Sequence, residues 1–371
     1  MTIDRHVAPR IEQLLTSIAA VTDVSVAPHD PTDAAAAPVT QAAAAVLERF
    51  WSEAERTGTP LIEPADDPEL RWVTFLWRVG VDDRDVPDPR LPVMVMGGPA
   101  LWWEMDRNVL DVLPGTDVAF RSYRVPVGHR GRYIMSPGDP LTPLPRAGTP
   151  ESVTRAERFR RDPRNPETLV LTADPEDPLT STAIFSTFAL PGATERSWAE
   201  PRDGVDAGEV VQHRLESRIL GNSRRVWTYR PPATGAADRA DPLLLVVLDG
   251  RDWIDWTPLV TTVDNLIADG LLPPVSMVLP EALDTATRYR ELTALPAFTD
   301  FLAHELMPFT REHLPVPADP RRIAVHGKSF GALAALAAGL ARPDVFGTVL
   351  SQSGSFWWSG WERDRPDLLI E

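Results

Sequence analysis

The pattern of apolar and polar residues changes part-way along the chain. Between residues 71 and 133, short apolar runs such as 72–77 nearly alternate with polar residues and are separated by glycine and proline turns. That pattern predicts an antiparallel β-sandwich. Beyond residue 206, apolar runs alternate with segments of helical periodicity such as 297–311, which predicts a parallel α/β sheet. The run LLLVVL at 243–248 is apolar on both faces, as in a central parallel strand.

The same patterns divide the chain into three predicted segments. Residues 1–65 are expected to be helical or loosely ordered, with an amphipathic helix over 41–57 and low order around 28–40. Residues 66–205 are expected to form the β-sandwich domain and, over 137–205, a proline-rich connector with one more strand at 183–189. Residues 206–371 are expected to form the α/β domain that carries the chemistry. The predicted fold class is therefore α/β, preceded by an antiparallel sandwich.

Composition limits the classes of partner. The 371-residue chain carries a formal net charge of −16, which argues against nucleic acids and anionic membranes as general partners. It has no cysteine, so disulfides, thiol nucleophiles and cysteine metal sites are excluded. No stretch approaches the roughly 20 apolar residues that span a bilayer, and the N-terminus lacks an uninterrupted signal-peptide core. We therefore expect a cytoplasmic protein, with its oligomeric state left open.

Residues 322–341 carry the clearest chemical motif. An apolar strand pattern is followed by GKSFG at 327–331 and then by a helix of small residues. Strand, G-x-S-x-G and helix form the nucleophile elbow of α/β-hydrolases, which places the serine hydroxyl at the tip of a strained turn. Ser329 is therefore the predicted nucleophile, and the backbone N–H of Phe330 is predicted to point at the same spot. The alternative is a chance pentapeptide at the start of a glycine- and alanine-rich helix.

The tripeptide GKS at 327–329 also ends a phosphate-binding P-loop. That motif requires a glycine five residues before Gly327, and this chain has Arg322 there. Nucleotide binding is therefore not expected.

A loop after another predicted strand carries the candidates for oxyanion stabilisation. Gly250 and Arg251 follow the strand at 243–248, where α/β-hydrolases place one oxyanion donor, and the N–H of Phe330 supplies the other. Two such N–H groups would stabilise the negative oxygen of a tetrahedral intermediate. An ordinary β-turn after a strand is the alternative.

Basic and aromatic residues near these strand ends predict a substrate-binding wall. Arg288 and Arg290 follow a predicted strand, and an arginine there could pair with an anionic substrate or with Glu291 alone. Ordinary surface residues are the alternative. Five tryptophans follow two of the strands and are predicted to form a wall for flat aromatic groups: Trp253, Trp256, Trp357, Trp358 and Trp361. Trp253, Trp357 and Trp358 are the ones predicted to bind substrate, and core packing would explain one or two of the five.

Taken together, these motifs resemble the enterochelin esterase family, the enzymes that hydrolyse ferric enterobactin. The resemblance covers roughly residues 70–361. It rests on SRRVW at 223–227, LDG at 248–250, TR at 287–288, GKSFG at 327–331 and LSQSGSFWW at 350–358, and, in the first domain, on VTFLWR at 73–78 and LPGTDV at 113–118. The run LSQSGSFWW is the most specific of these.

The resemblance implies an α/β-hydrolase domain, preceded by a β-sandwich, whose nucleophile is Ser329. It implies that Gly250 and Phe330 belong to the oxyanion region and that Arg288 lies in the substrate site. The implied substrate is a cyclic or linear trilactone of catechoyl-serine bound to Fe(III), whose hydrolysis weakens chelation and releases iron in the cytoplasm. Iron then enters only as part of the substrate, and neither a cofactor nor a resident metal is expected.

The sequence departs from the family pattern in two ways. Lys328 stands where the family usually has Gln, and Ala332 where it usually has Gly. The family's acid and histidine follow the LSQSGSFWW run, whereas no histidine follows Ser329 here, and His326 on the preceding strand is not expected to be the base. We therefore expect an α/β domain shortened at its last strands by roughly 50–80 residues, and a nearly inactive 371-residue polypeptide.

Two other functions stay open from the sequence. One is an esterase for another acyl substrate, such as feruloyl or acetylated sugar esters, because the tryptophans would suit either. The other is a non-catalytic siderophore binder, because the acid and the histidine are missing.

Overall fold

The computed structural model describes residues 7–22, 41–86, 88–99, 104–145, 148–232 and 243–358. The chain divides into two compact units, Met1–Glu195 and Arg196–Glu371. The low order predicted around residues 28–40 lies outside the described residues. Within the described ranges, no helix is both long and apolar enough to cross a membrane.

Two helices open the first unit and share a core with its first sheet. They are α1 (Pro9–Thr22) and α2 (Gln41–Thr57), and the second confirms the amphipathic helix predicted there. Trp51 of α2 is fully buried, and its indole N–H donates to Asp117 at 2.9 Å. The N-terminal helices therefore bury their apolar side against the sheet rather than in solvent.

Two antiparallel sheets complete the first unit and confirm the predicted sandwich. Its strands are β1 (Leu61–Pro64), β2 (Leu70–Arg78), β3 (Met94–Met96), β4 (Asp111–Val112), β5 (Val118–Pro126), β6 (Arg130–Ser136), β7 (Thr168–Leu171) and β8 (Ala183–Ala189). Their orders are β1-β2-β5-β4 and β3-β6-β8-β7. Short helices α3 (Met105–Asn108) and α4 (Pro150–Ala156) lie in the connections.

The core between the two sheets is aromatic. Phe75 of β2 is fully buried, and its ring meets those of Tyr123, Tyr133 and Phe188 edge to face. Phe188 belongs to β8, and β7 pairs with β8. The region predicted as a connector therefore supplies two strands of the sandwich; the sequence pattern had indicated one strand over 183–189 and missed β7.

The second unit contains a six-stranded mixed sheet. Its strands are β9 (Glu209–Ser217), β10 (Asn222–Arg230), β11 (Leu243–Val247), β12 (Val275–Pro280), β13 (Ile323–Lys328) and β14 (Thr348–Gln352), in the order β14-β13-β11-β12-β10-β9. Strands β11 to β14 pair in parallel, whereas β9 and β10 form an antiparallel hairpin that joins β12 antiparallel. This arrangement confirms the predicted parallel α/β sheet, to which the β9–β10 hairpin adds two antiparallel strands at one edge.

Helices connect the parallel strands. They are α5 (Gly250–Asp255), α6 (Leu259–Ala268), α7 (Thr285–Thr293), α8 (Leu295–Phe301), α9 (Met307–His313) and α10 (Phe330–Ala341). The single helix predicted over 297–311 is in fact α8, a π-helical stretch at Leu302–Leu306, and α9. Pro308 cannot donate a backbone hydrogen bond to the preceding turn, so a regular α-helical ladder cannot continue through it.

Strand β11 is central, as its apolar run predicted. Leu244 and Val246 face one core, which includes α10 residues such as Leu333. Val247 faces the other core, which includes Val263 of α6. Because β11 lies between β12 and β13, the loops at their carboxyl ends meet at one edge of the sheet.

Candidate active site around Ser329

Ser329 forms the turn between β13 and α10 by itself. Strand β13 ends at Lys328 and α10 begins at Phe330, which confirms the predicted strand–turn–helix arrangement. The backbone of Ser329 has φ 55° and ψ −120°, a conformation that costs a non-glycine residue energy and persists only when its surroundings hold it. Its N–H donates to the carbonyl of Gln352 at 3.0 Å, and its carbonyl accepts from the N–H of Ser355 at 3.1 Å. The end of β14 and the residues just after it therefore hold the strained turn from both sides.

The glycines on either side of Ser329 allow the turn to close. A Cβ on Gly327 would lie 2.2 Å from the carbonyl carbon and oxygen of Gly331, which no side chain can tolerate. A Cβ on Gly331 would lie 3.1 Å from a carboxylate oxygen of Asp249, a much milder contact. The close approach of strand and helix thus requires glycine at position 327.

Replacing Gly327 by alanine is expected to lower the free energy of unfolding of the second unit by about 3 kcal/mol, because the clash is with backbone atoms that cannot rotate away. Gly331→Ala is the matched control. Its neighbour is a side chain and alanine favours a helix, so we expect a change within about 1 kcal/mol. Urea unfolding, monitored by hydrogen exchange of peptides from the second unit, measures the free energy of unfolding of both variants. Equal losses in the two variants would contradict the backbone clash.

The hydroxyl of Ser329 lies against a second serine. Its Oγ is 3.1 Å from the Oγ of Ser355, which is almost fully buried. Sequence reasoning did not single out Ser355, although it lies in the LSQSGSFWW run. The signal that could have found it is topological: β14 pairs in parallel with β13, so the residues after β14 reach the same sheet edge as the elbow.

Among the described residues, no histidine hydrogen-bonds to the Ser329 hydroxyl. His326 lies on β13, and its Nδ1 is 2.9 Å from the carbonyl oxygen of Leu350. Its ring centre is 5.0 Å from that of Trp253. His326 is therefore engaged on the strand and not with the predicted nucleophile.

The predicted oxyanion residues lie at the starts of two helices, each of which follows one of the neighbouring strands β11 and β13. Gly250 and Arg251 begin α5, and Phe330 begins α10. The first N–H groups of a helix have no acceptor within it, so they can donate to another oxygen. Just before these helix starts, the N–H of Leu248, which follows β11, donates to the carbonyl of His326 on β13 at 2.9 Å. The structure thus brings the two helix starts to adjacent strand ends.

Position 250 requires glycine because the backbone of Leu279 leaves no room for a side chain. A Cβ there would lie 2.3 Å from the carbonyl oxygen of Leu279, at the end of β12. The preceding residue, Asp249, has a left-handed φ of 62°. The side chain of Arg251 turns back along α5, with its Nε 3.0 Å from an oxygen of Asp255 and its guanidinium 5.1 Å from the centre of the Trp256 ring. Its backbone N–H is therefore what Arg251 could offer to an oxyanion.

Arg288 pairs with Asp249. Its Nε and Nη2 each donate to one carboxylate oxygen at 2.7 Å, and Nη2 lies 3.4 Å from the Lys328 carbonyl oxygen. The sequence-based alternative of a pair with Glu291 is wrong, because Glu291 accepts hydrogen bonds from Arg224 at 2.8 Å and from Asn222. Arg288 therefore links the turn before Gly250 to the strand before Ser329, and any substrate contact would have to be made beside this ion pair.

The three tryptophans predicted to bind substrate have different environments, and Trp361 of the predicted wall lies outside the described residues. Trp357 is 69% exposed, and its ring centre is 5.9 Å from that of Phe330. Trp358 packs edge-on against Phe330 at 5.1 Å and contributes to the core. Trp253 lies on α5, and its indole N–H donates to the carbonyl of Leu248, just after β11, at 3.0 Å. Of the three, Trp357 has the largest free ring surface near the elbow helix.

Acidic and histidine side chains do not cluster as metal ligands in the part of the chain that the structure describes: no group of three or more could hold an ion.

Comparisons with known proteins agree with this geometry. Residues 72–199 match the model of the enterochelin esterase N-terminal family, and residues 217–371 match the Esterase family model. The chain is 34% identical to the iron(III) enterobactin esterase of Dickeya dadantii, over 84% of this chain and 72% of that protein. The chain belongs to the iron(III) enterobactin esterase family. An iron(III) salmochelin esterase of Escherichia coli is 29% identical over 88% of this chain and 75% of that protein.

Solved structures of the family share this fold. The ferric enterobactin esterase of Salmonella typhimurium is 28% identical, with a TM-score of 0.64 over 84% of this chain and 78% of that one. The Shigella flexneri enterobactin esterase, solved in the presence of enterobactin, is also 28% identical, with a TM-score of 0.62 over 87% of this chain and 79% of that one. These likenesses cover both units of the chain.

Proposed function

We propose that this chain is a serine esterase that hydrolyses the ester bonds of a ferric catecholate siderophore, an enterobactin-like trilactone, and so releases its iron. The observation that carries the proposal is the strained turn at Ser329, which joins β13 directly to the start of α10 at Phe330, while the start of α5 at Gly250 follows the neighbouring strand β11. The relatives named iron(III) enterobactin esterase and iron(III) salmochelin esterase support the choice of substrate.

The reaction assigns a step to each group. The Oγ of Ser329 bonds to an ester carbonyl carbon, and the carbonyl oxygen becomes the oxyanion that the N–H groups of Gly250 and Phe330 receive. Collapse breaks the ester C–O bond, and the leaving serine oxygen of the siderophore takes up the proton that Ser329 gave to the base. Water then hydrolyses the acyl-Ser329 ester. The proton of Ser329 has to pass to a base, and among the described residues its hydroxyl hydrogen-bonds to that of Ser355.

Substrate recognition is proposed to depend on aromatic surface more than on net charge. The chain carries a net charge of −16, and the nearby guanidinium of Arg288 is already paired with Asp249. The exposed ring of Trp357 can stack on a flat catechol group. We further propose that the protein acts in the cytoplasm, in keeping with a sequence that contains no cysteine.

The test is product analysis with ferric enterobactin. We expect the chain to generate 2,3-dihydroxybenzoyl-serine and its linear oligomers, measured by chromatography and mass spectrometry, faster than it cleaves feruloyl or acetylated sugar esters. Preference for the sugar esters would contradict the proposal. Quenching of tryptophan fluorescence by the ferric complex without any product would identify a non-catalytic binder instead.

A further inference from the structure

Two ion pairs flank Gly250 at the start of α5. Asp249, just before it, is held by Arg288, as described above. Asp252, two residues after it, is held by Lys328, whose Nζ is 2.9 Å from Oδ2 of Asp252. Lys328 is the only lysine in a chain that has 37 basic Lys and Arg residues in total.

The second pair joins two elements of the candidate site. Asp252 lies in the first turn of α5, the helix that begins with Gly250 and Arg251. Lys328 is the last residue of β13 and directly precedes Ser329. The pair therefore connects the helix that carries the predicted oxyanion amides to the strand that carries the predicted nucleophile.

Lys328 is committed to this contact. Its side chain is 33% exposed, its ammonium also lies 5.3 Å from the ring centre of Trp253, and its charge is compensated by Asp252. Burial raises the pKa of Asp252, and the ammonium of Lys328 opposes that rise. The geometry thus favours a role within the protein over recognition of an anionic substrate.

We propose that Lys328 is a positioning residue, whose ion pair with Asp252 holds the turn at Gly250 and Arg251 in place relative to Ser329. The inference rests on the proposed function, in which that turn receives the oxyanion. Oxyanion donors accelerate a reaction only if they are fixed before it begins, so a looser turn lowers the rate of the chemical step while leaving substrate binding largely intact.

The experiment compares Lys328→Met, Asp252→Asn and the conservative variant Lys328→Arg. We expect the first two to lower kcat about tenfold with KM within about twofold, because the donors are displaced and not removed. Hydrogen exchange of the peptide spanning residues 248–256 is expected to become about threefold faster in both, as for a partly exposed ion pair. Lys328→Arg, which keeps the positive charge, is expected to keep both the kcat and the slow exchange of the parent.

Two results would overturn the inference. If exchange at 248–256 is the same in Lys328→Met as in the parent, the pair does not hold the turn. If exchange is unchanged and KM rises for the ferric siderophore but not for a neutral p-nitrophenyl ester, Lys328 contacts the anionic substrate instead. Should the parent hydrolyse no ester, the proposed function fails, and the exchange measurement by itself still decides whether Lys328 holds the turn.

Discussion

Replacing Ser329 by alanine is expected to reduce the parent chain's siderophore ester hydrolysis, itself expected to be slow, to the uncatalysed background. The substitution removes the oxygen that would form the acyl bond. The fold should survive, because alanine and serine experience similar strain at φ 55°, and the backbone hydrogen bonds to Gln352 and Ser355 do not involve the lost hydroxyl. Initial rates with ferric enterobactin measure the effect, and circular dichroism checks the fold.

Ser355→Ala is the matched control for this prediction. It removes a neighbouring hydroxyl of the same size, 3.1 Å from the Oγ of Ser329, without removing the proposed nucleophile. We expect a loss of about tenfold or less, the scale of one neutral hydrogen bond. A Ser329→Ala variant as fast as the parent would show that hydrolysis, if present, takes place elsewhere.

Replacing Glu291 by glutamine is expected to lower the free energy of unfolding of the second unit by about 3 kcal/mol or more. The partner of Glu291 is Arg224, whose side chain is fully buried and whose Nη2 donates to Glu291 at 2.8 Å. The same nitrogen donates to Asn222 at 2.7 Å, and the guanidinium lies 4.7 Å from the ring centre of Phe301. Neutralising Glu291 would leave a positive charge in the core without its counter-charge, which is why the cost is large.

The control for Glu291→Gln is a surface ion pair of the same unit. Arg342 and Asp344 form such a pair at 2.8 Å, with the aspartate mostly exposed. Asp344→Asn is expected to leave the unfolding transition unchanged, because solvent screens this pair. Urea titrations, monitored by hydrogen exchange of peptides from the second unit, compare the free energy of unfolding of the two variants. If Glu291→Gln is no more costly than Asp344→Asn, the buried pair does not stabilise the fold.

Local patterns were sufficient for much of the fold. The alternation in 72–77 and the turns around it predicted the sandwich, and the apolar run at 243–248 predicted the central strand β11. The elbow at Ser329 was predictable because strand, G-x-S-x-G and helix are consecutive, and each is specified by neighbouring residues. Strand β7 was missed because its four residues, TLVL, lie within a proline- and charge-rich stretch.

The sequence by itself determined the two kinds of sheet, the elbow and its glycines, since periodicity and backbone sterics act between residues close in the chain. The tertiary structure decided which charges pair and what touches the nucleophile. Arg288 pairs with Asp249, 39 residues away along the chain, and the hydroxyl of Ser329 hydrogen-bonds to that of Ser355, 26 residues away. A chain with 37 basic and 53 acidic residues offers many possible partners, and the order of the strands in the sheet selects among them.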